Sequence, residues 1–413
     1  MASRLPVPAD FAPPPDAATR ARWLEADRAA RPARLASLRE RMAREGVDAW
    51  FGVRPEHMRW LTGFALGPGE KASAGHSGEF LVGAETVTVL VDSRYAIQAR
   101  REATDATVDD IGYDLAGAWA RLLGSLGARR VGMEAEAVPH AMWRQLAEAS
   151  PGVELVAADG WVEAMRAVKT PDEVERIAAA CAVADRALAA LLPEVRAGVT
   201  ERDLALRLEW LMRTGGAECL AFDVACLAGP EAALPHGSPG DRPVLDRSVL
   251  LFDFGAQVEG YRSDMTRTLF IGEPTARDLA VYETVARSQQ AALDLLAAAV
   301  RTGGALPDGR SVDAAARRAI EADGRFPAYG HGLGHGIGLA THEKPSLARA
   351  APETPLPSPT VFSVEPGIYL EGQTGVRIED LVHLDAAGGV FEALTRFPKD
   401  VLALRAPTIG TAA

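Results

Sequence analysis

Four carboxylates sit inside stretches of this chain that otherwise read as buried β-strands. Asp253 lies in VLLFDFGAQVEGYRSDMTRTLF, residues 249–270, between Phe252 and Phe254. Asp264 follows eleven residues later, past a turn signal at Glu259-Gly260. Glu365 ends the apolar run of VFSVEPGIYLEGQTGVRIEDLVHL, residues 361–384, and Glu379 sits in its second strand. A lone ionised carboxylate in such a strand is too costly to bury, so each must be paired or must bind a cation.

Two strands joined by a turn at Glu259-Gly260 are expected to set Asp253 and Asp264 across a ladder from each other. Gly372 and Gly375 suit a second hairpin that presents Glu365 and Glu379. Taken singly, Asp253 can cap a turn and Asp264 can make a surface salt bridge. Two acidic pairs on two hairpins are harder to dismiss. Adjacent carboxylates repel, and a divalent cation removes that penalty.

Between the hairpins runs HGLGHGIGLATHE, residues 331–343, with three histidines and four glycines. Glycine lets a backbone approach a ligand without a Cβ in the way. His335 supplies a nitrogen donor. Two Asp, two Glu and one His carry too much charge for one small ion and suit two metals roughly 3.5–4 Å apart. Mixed oxygen and nitrogen donors fit manganese, cobalt, iron or zinc better than a purely thiolate-loving metal.

The rest of the chain frames that site. Its 413 residues allow two or three domains. Leu35, Leu38 and Met42 predict a helix closed by Gly46, after a Pro-rich arm of about twenty residues. DAWFGV and residues 85–95 read as strands, and 115–125 and 139–149 as helices. Thr170, Pro171 and Glu173 form a helix start of the capping-box type. Further helices are predicted from Thr200 to Gly215, from Thr275 to Arg301, and between Ser311 and Asp323. These alternate with strands at 248–256, 263–271, 360–369 and 376–384. The expected fold class is α/β, with a small N-terminal domain over 1–163 and a catalytic domain over 164–413.

A net charge of −12 argues against nucleic acid or an anionic membrane as partner. No apolar run reaches the length of a membrane span, and the N-terminus holds no signal-like run. Cys181, Cys219 and Cys226 are odd in number and form no CxxC pair, so free thiols in the cytoplasm are expected.

The catalytic half resembles the pita-bread metallopeptidases, the family of Xaa-Pro dipeptidase (prolidase), aminopeptidase P, methionine aminopeptidase and creatinase. The likeness spans about 165–405 and includes all five ligand positions: Asp253, Asp264, His335, Glu365 and Glu379. The stretch 331–343 looks like the proline-peptidase signature, with Thr341 where Ile or Val is usual. Residues 1–160 resemble the creatinase-like N-terminal domain. The resemblance implies a pita-bread (α+β) catalytic domain with pseudo-two-fold halves. It implies hydrolysis of the Xaa-Pro bond by two divalent ions, first of dipeptides.

By the same resemblance, Glu365 carries the proton, and His236 and His342 lie beside the substrate as catalytic donors. His331 borders the proline pocket, and Arg377 braces the site and meets the substrate. Some relatives have a tyrosine at Phe222. A homodimer is implied, with Trp60 and the His76 loop as candidates for closing a partner's cleft, although a buried structural role is the better reading of Trp60. The alternatives are an aminopeptidase P acting on longer peptides, a metal-free creatinase-like C–N hydrolase, and a non-catalytic binding protein.

Overall fold

A computed structural model describes residues 11–67, 75, 77–399 and 403–404. The chain divides into two compact units, one of Ala17–Arg166 and one of the described residues from Ala167 onward, to which the described residues before Ala17 also belong.

The first unit is built on a six-stranded mixed sheet. Its order is Thr107–Asp110, Val87–Val91, Glu79–Gly83, Ala49–Gly52, Arg130–Met133 and Glu154–Ala157. Trp119, Phe51, Leu90 and Val131 fill its core. The first helix runs Ala17–Glu45 and takes Pro32 into its interior, so it begins earlier than the apolar spacing of Leu35, Leu38 and Met42 suggested. Trp60 is a core residue here, buried under the Arg34 guanidinium at 4.5 Å. His76 lies outside the described residues.

In the second unit the local signals in the sequence are borne out one by one. Thr170 accepts from the Glu173 amide while the Glu173 carboxylate takes the Thr170 amide, so the helix Pro171–Leu191 opens with a full capping box. Thr200 and Thr275 cap the helices Glu201–Thr214 and Ala276–Thr302. Gly303, in the left-handed region, ends the latter. Asp308 caps Gly309–Asp323.

The two acidic hairpins repeat one construction. Ser248–Phe254 pairs antiparallel with Met265–Ile271, and the ladder ends at Phe254 opposite Met265. The chain then makes a small separate hairpin, Ala256–Val258 with Tyr261–Arg262, around Glu259 and Gly260, both at positive φ. Thr360–Val364 pairs with Asp380–Asp385 and ends at Val364 opposite Asp380. It too gives way to a separate hairpin, Gly367–Leu370 with Thr374–Arg377, turning at Gly372.

This corrects the expected register. Asp253 stands opposite Thr266, not Asp264, and Asp264 lies one residue outside the ladder. Glu365 and Glu379 also lie just past the last pair of theirs. At Glu365 and Glu379 the backbone changes partners. The Glu365 amide donates to Leu333 O at 2.8 Å, and the Glu379 amide to Thr266 O at 3.2 Å. Pro366 has no amide with which to continue. The ladders open, and the carboxylates turn into the gap.

Leu251, Phe270, Phe362, Val364 and Val382 pack beneath with the helices Ala276–Thr302 and Gly309–Asp323. Among the described residues, no helix is long and apolar enough to cross a membrane. The three cysteines are buried free thiols.

Candidate active site

A cavity of about 530 Å³ opens above the parted ladders, and its lining includes the nine residues expected to hold metal, carry the proton or meet the substrate. Asp253, Asp264, Glu365 and Glu379 come from the strand ends. His335 comes from the short strand Gly334–Gly336, which lies between Glu343–Leu347 and Thr360–Val364 in its sheet. Gly334 is obligatory there, since a Cβ would run into the Ser363 carbonyl. The same holds for Gly336 against Lys344.

Asp264, His335 and Glu379 each place one donor atom within 4.8 Å of the others. His335 Nε2 lies 3.7 Å from Asp264 Oδ2 and 3.3 Å from Glu365 Oε1. His335 Nδ1 lies 3.0 Å from the Gly336 carbonyl, which fixes the ring so that Nε2 faces the carboxylates. Asp253 Oδ2 accepts from Arg377 Nη2 at 2.5 Å. Glu379 Oε2 accepts from Thr266 Oγ1 at 2.7 Å, and Ser363 Oγ donates to Glu365 Oε1 at 3.0 Å.

The other oxygens of two of these acids, Asp253 Oδ1 and Glu379 Oε1, are buried and have no hydrogen-bond partner. Burial and mutual repulsion raise the Asp264 and Glu379 carboxyls well above the ordinary carboxylate range. Burial raises Asp253 against the pull of Arg377. Burial disfavours the charged form of His335, yet the Glu365 carboxylate beside it raises the imidazole to about 9. The shifts at Asp253, Asp264, Glu379 and His335 all run toward proton uptake, while Glu365, against the effect of burial, is lowered by His335, as crowded acids in need of positive charge require. Orphaned buried oxygens beside a poised imidazole fit a divalent cation centre.

Around the carboxylates stand the polar groups of the wall. His342 stacks obliquely on His335, with ring centroids 4.2 Å apart. Its pKa is lowered by burial and by the His335 charge. His236 is exposed at the mouth, and Phe222 lines the same wall half-buried. His331 Nε2 meets Tyr369 Oη at 2.9 Å, and burial lowers its pKa. Arg377 is buried and bonded through each of its nitrogens: besides Asp253 it donates to Thr266 Oγ1, Tyr369 Oη and Pro235 O.

Sequence reasoning passed over Thr266, Ser363 and Tyr369. The signal for Tyr369 was present. In the hairpin register Gly367 faces Arg377, and alternation puts Tyr369 on the same face, diagonal to the guanidinium. A Cβ on Gly367 would strike the Tyr369 ring.

Comparison with known proteins bears on both units. The model of metallopeptidase family M24 matches residues 175–386, and that of the creatinase/prolidase N-terminal domain matches 34–168. The Xaa-Pro dipeptidase of Pyrococcus furiosus is 35% identical over 263 residues, 64% of this chain and 73% of that protein. Among solved structures, the X-Pro aminopeptidase of Thermotoga maritima superposes with a TM-score of 0.78 at 32% identity, covering 89% of this chain and 99% of that one. The Xaa-Pro dipeptidase of Bacillus anthracis does so with a TM-score of 0.81 at 29% identity, covering 90% and 99%.

Proposed function

This chain belongs to metallopeptidase family M24, and from that membership we propose that it hydrolyses the peptide bond before proline in Xaa-Pro dipeptides. Asp253, Asp264, His335, Glu365 and Glu379 would hold two divalent cations, manganese first, with cobalt, zinc or iron as alternatives. The observation that carries the reading is the convergence of these five side chains on one cavity, with buried oxygens left unpaired. Bound there, such cations lower the pKa of water and polarise a carbonyl.

The protein's own groups do the remainder. Glu365 accepts a proton from the attacking water and delivers it to the proline nitrogen as the C–N bond breaks. His236 and His342 stand at the cavity mouth as donors to the carbonyl oxygen, where negative charge develops. His331 and Arg377 border the far side and orient the proline end. Proline makes the scissile bond a tertiary amide and fixes φ, so a dedicated pocket has a purpose.

The Thermotoga maritima relative, an X-Pro aminopeptidase, supports a second substrate class: longer peptides with proline in second position. The deciding experiment strips the protein of metal, restores each ion in turn, and compares Xaa-Pro with Xaa-Pro-Yaa-Yaa. Turnover of neither, with every ion, would refute the proposal. Buried free thiols agree with a cytoplasmic enzyme. A homodimer is the assembly we propose, to be read by sedimentation.

A further inference from the structure

The segment that carries His331 has little side-chain volume to grip, because Gly330, Gly332 and Gly334 alternate through it. Its backbone is held instead. Arg317, on the helix Gly309–Asp323, is only 5% exposed. Its Nη1 donates to the Tyr329 carbonyl at 2.6 Å and its Nη2 to the His331 carbonyl at 2.5 Å. Asp313, one helical turn earlier, accepts from Arg317 Nε at 2.6 Å and Nη2 at 3.0 Å. Its Oδ1 also accepts the Leu333 amide at 3.1 Å.

One buried ion pair thus satisfies three backbone groups between Tyr329 and Leu333. The helix does not need it for its ends, which Asp308 and Gly324 already cap. The guanidinium lies over the Tyr329 ring at 4.1 Å, and that ring packs against His331 with centroids 5.0 Å apart. On the other side, Gly332 lies close against Leu347 and Ala348, and Leu333 O accepts the Glu365 amide. The segment is clamped from both sides, and the imidazole, its Nδ1 2.7 Å from the Gly332 carbonyl, meets Tyr369 at the cavity through Nε2.

We propose that Arg317, oriented by Asp313, is a positioning residue for the substrate pocket, fixing the backbone at His331 and so the imidazole that borders the proline end. The substrate part of this inference rests on the Xaa-Pro reading; the placement of His331 does not. The planar fork matters, because lysine keeps the charge for Asp313 but cannot reach two carbonyls in fixed directions.

The test is Arg317→Lys, alone and combined with His331→Ala, in the manganese-restored enzyme. For an Xaa-Pro dipeptide, Arg317→Lys is expected to raise KM about tenfold while kcat stays within about threefold. In the His331→Ala background it adds no further rise. An equal rise in both backgrounds, or a fall in kcat with KM unchanged, overturns the proposal. Asp313→Asn weakens the same anchor and serves where Arg317→Lys does not fold; its KM effect should also vanish in His331→Ala. The imidazole ¹H–¹⁵N signals of the metal-free protein read the placement without substrate. Those of His331 should move in Arg317→Lys while those of His57 and His383 stay. A stationary His331 overturns the proposal whether or not the wild type turns over dipeptides. A displaced His331 with an inactive wild type sinks only the substrate reading.

Discussion

Arg377 holds the Asp253 carboxylate at 2.5 Å, although the two come from different acidic hairpins. The contact ties one half of the site to the other. Removing the guanidinium leaves a largely desolvated carboxylate uncompensated; a fully buried pair costs about 3–5 kcal/mol to break, an upper bound here because Asp253 is 18% exposed. Arg377→Met should therefore destabilise the metal-free protein by up to that amount, and the metal-loaded protein by less, since cations can take over the charge. Denaturant melts with and without manganese check this. Equal losses in both forms would show that cations do not compensate Asp253.

Glu365 is the group proposed to carry the proton. Glu365→Gln is nearly isosteric and should lower kcat about 10²–10⁴-fold, the usual worth of general acid–base catalysis. Steady-state kinetics with metal content measured on the same samples gives the answer. Full metal occupancy with unchanged kcat would reassign the proton to another group.

Metal-free protein should weaken as pH rises. The Asp253, Asp264 and Glu379 carboxyls are raised, chiefly by burial, and His335 is raised to about 9 by its carboxylate neighbours against the effect of burial. A raised group contributes stability that is fully present below its unfolded value and is lost as pH climbs through the folded one. Glu365, lowered by His335 although burial opposes this, works in the other direction as one group against four. Between pH 5 and 9, the metal-free melting temperature is expected to fall. Metal must displace those protons, so manganese binding releases protons and strengthens over the same range. Calorimetry in buffers of differing ionisation enthalpy measures the release; none detected would contradict the proton-holding cluster.

In the first unit, His57 and Glu134 make a short buried contact. Burial pushes His57 down to about 3 and Glu134 up to about 7. The Glu134 contribution to stability is present below 4.5 and lost as pH rises through 7. That of His57 is present above 6.5 and lost as pH falls toward 3. Between 4.5 and 6.5 the folded pair and the unfolded chain each hold one proton, so the pair adds no slope there. Glu134→Gln removes the compensation. The variant should then lose stability with falling pH in that window, by up to about 1.36 kcal/mol per pH unit more than wild type. Parallel wild-type and variant profiles from urea melts would argue against this proton count.

Helix ends and candidate ligands could be read from local chemistry. Thr170 with Glu173, Thr200, Thr275 and Gly303 mark helix ends because a cap is satisfied within a few residues of chain. The four acids were legible because a charge in an apolar strand demands a partner wherever the strand lies. The register could not be read that way, because it depends on backbone contacts between distant segments. Asp253 faces Thr266 rather than Asp264, and the backbone at Glu365 and Glu379 leaves its own ladder for the carbonyls of Leu333 and Thr266, distant in sequence. Tertiary contacts also decided the supporting groups: Thr266 under Glu379, Ser363 under Glu365, and Asp313 with Arg317 behind His331. Spacing alone would make Asp313 and Arg317 an ordinary surface pair on a helix. Only packing removes water from them, and a desolvated ion pair must spend its remaining hydrogen bonds on whatever backbone the fold brings within reach.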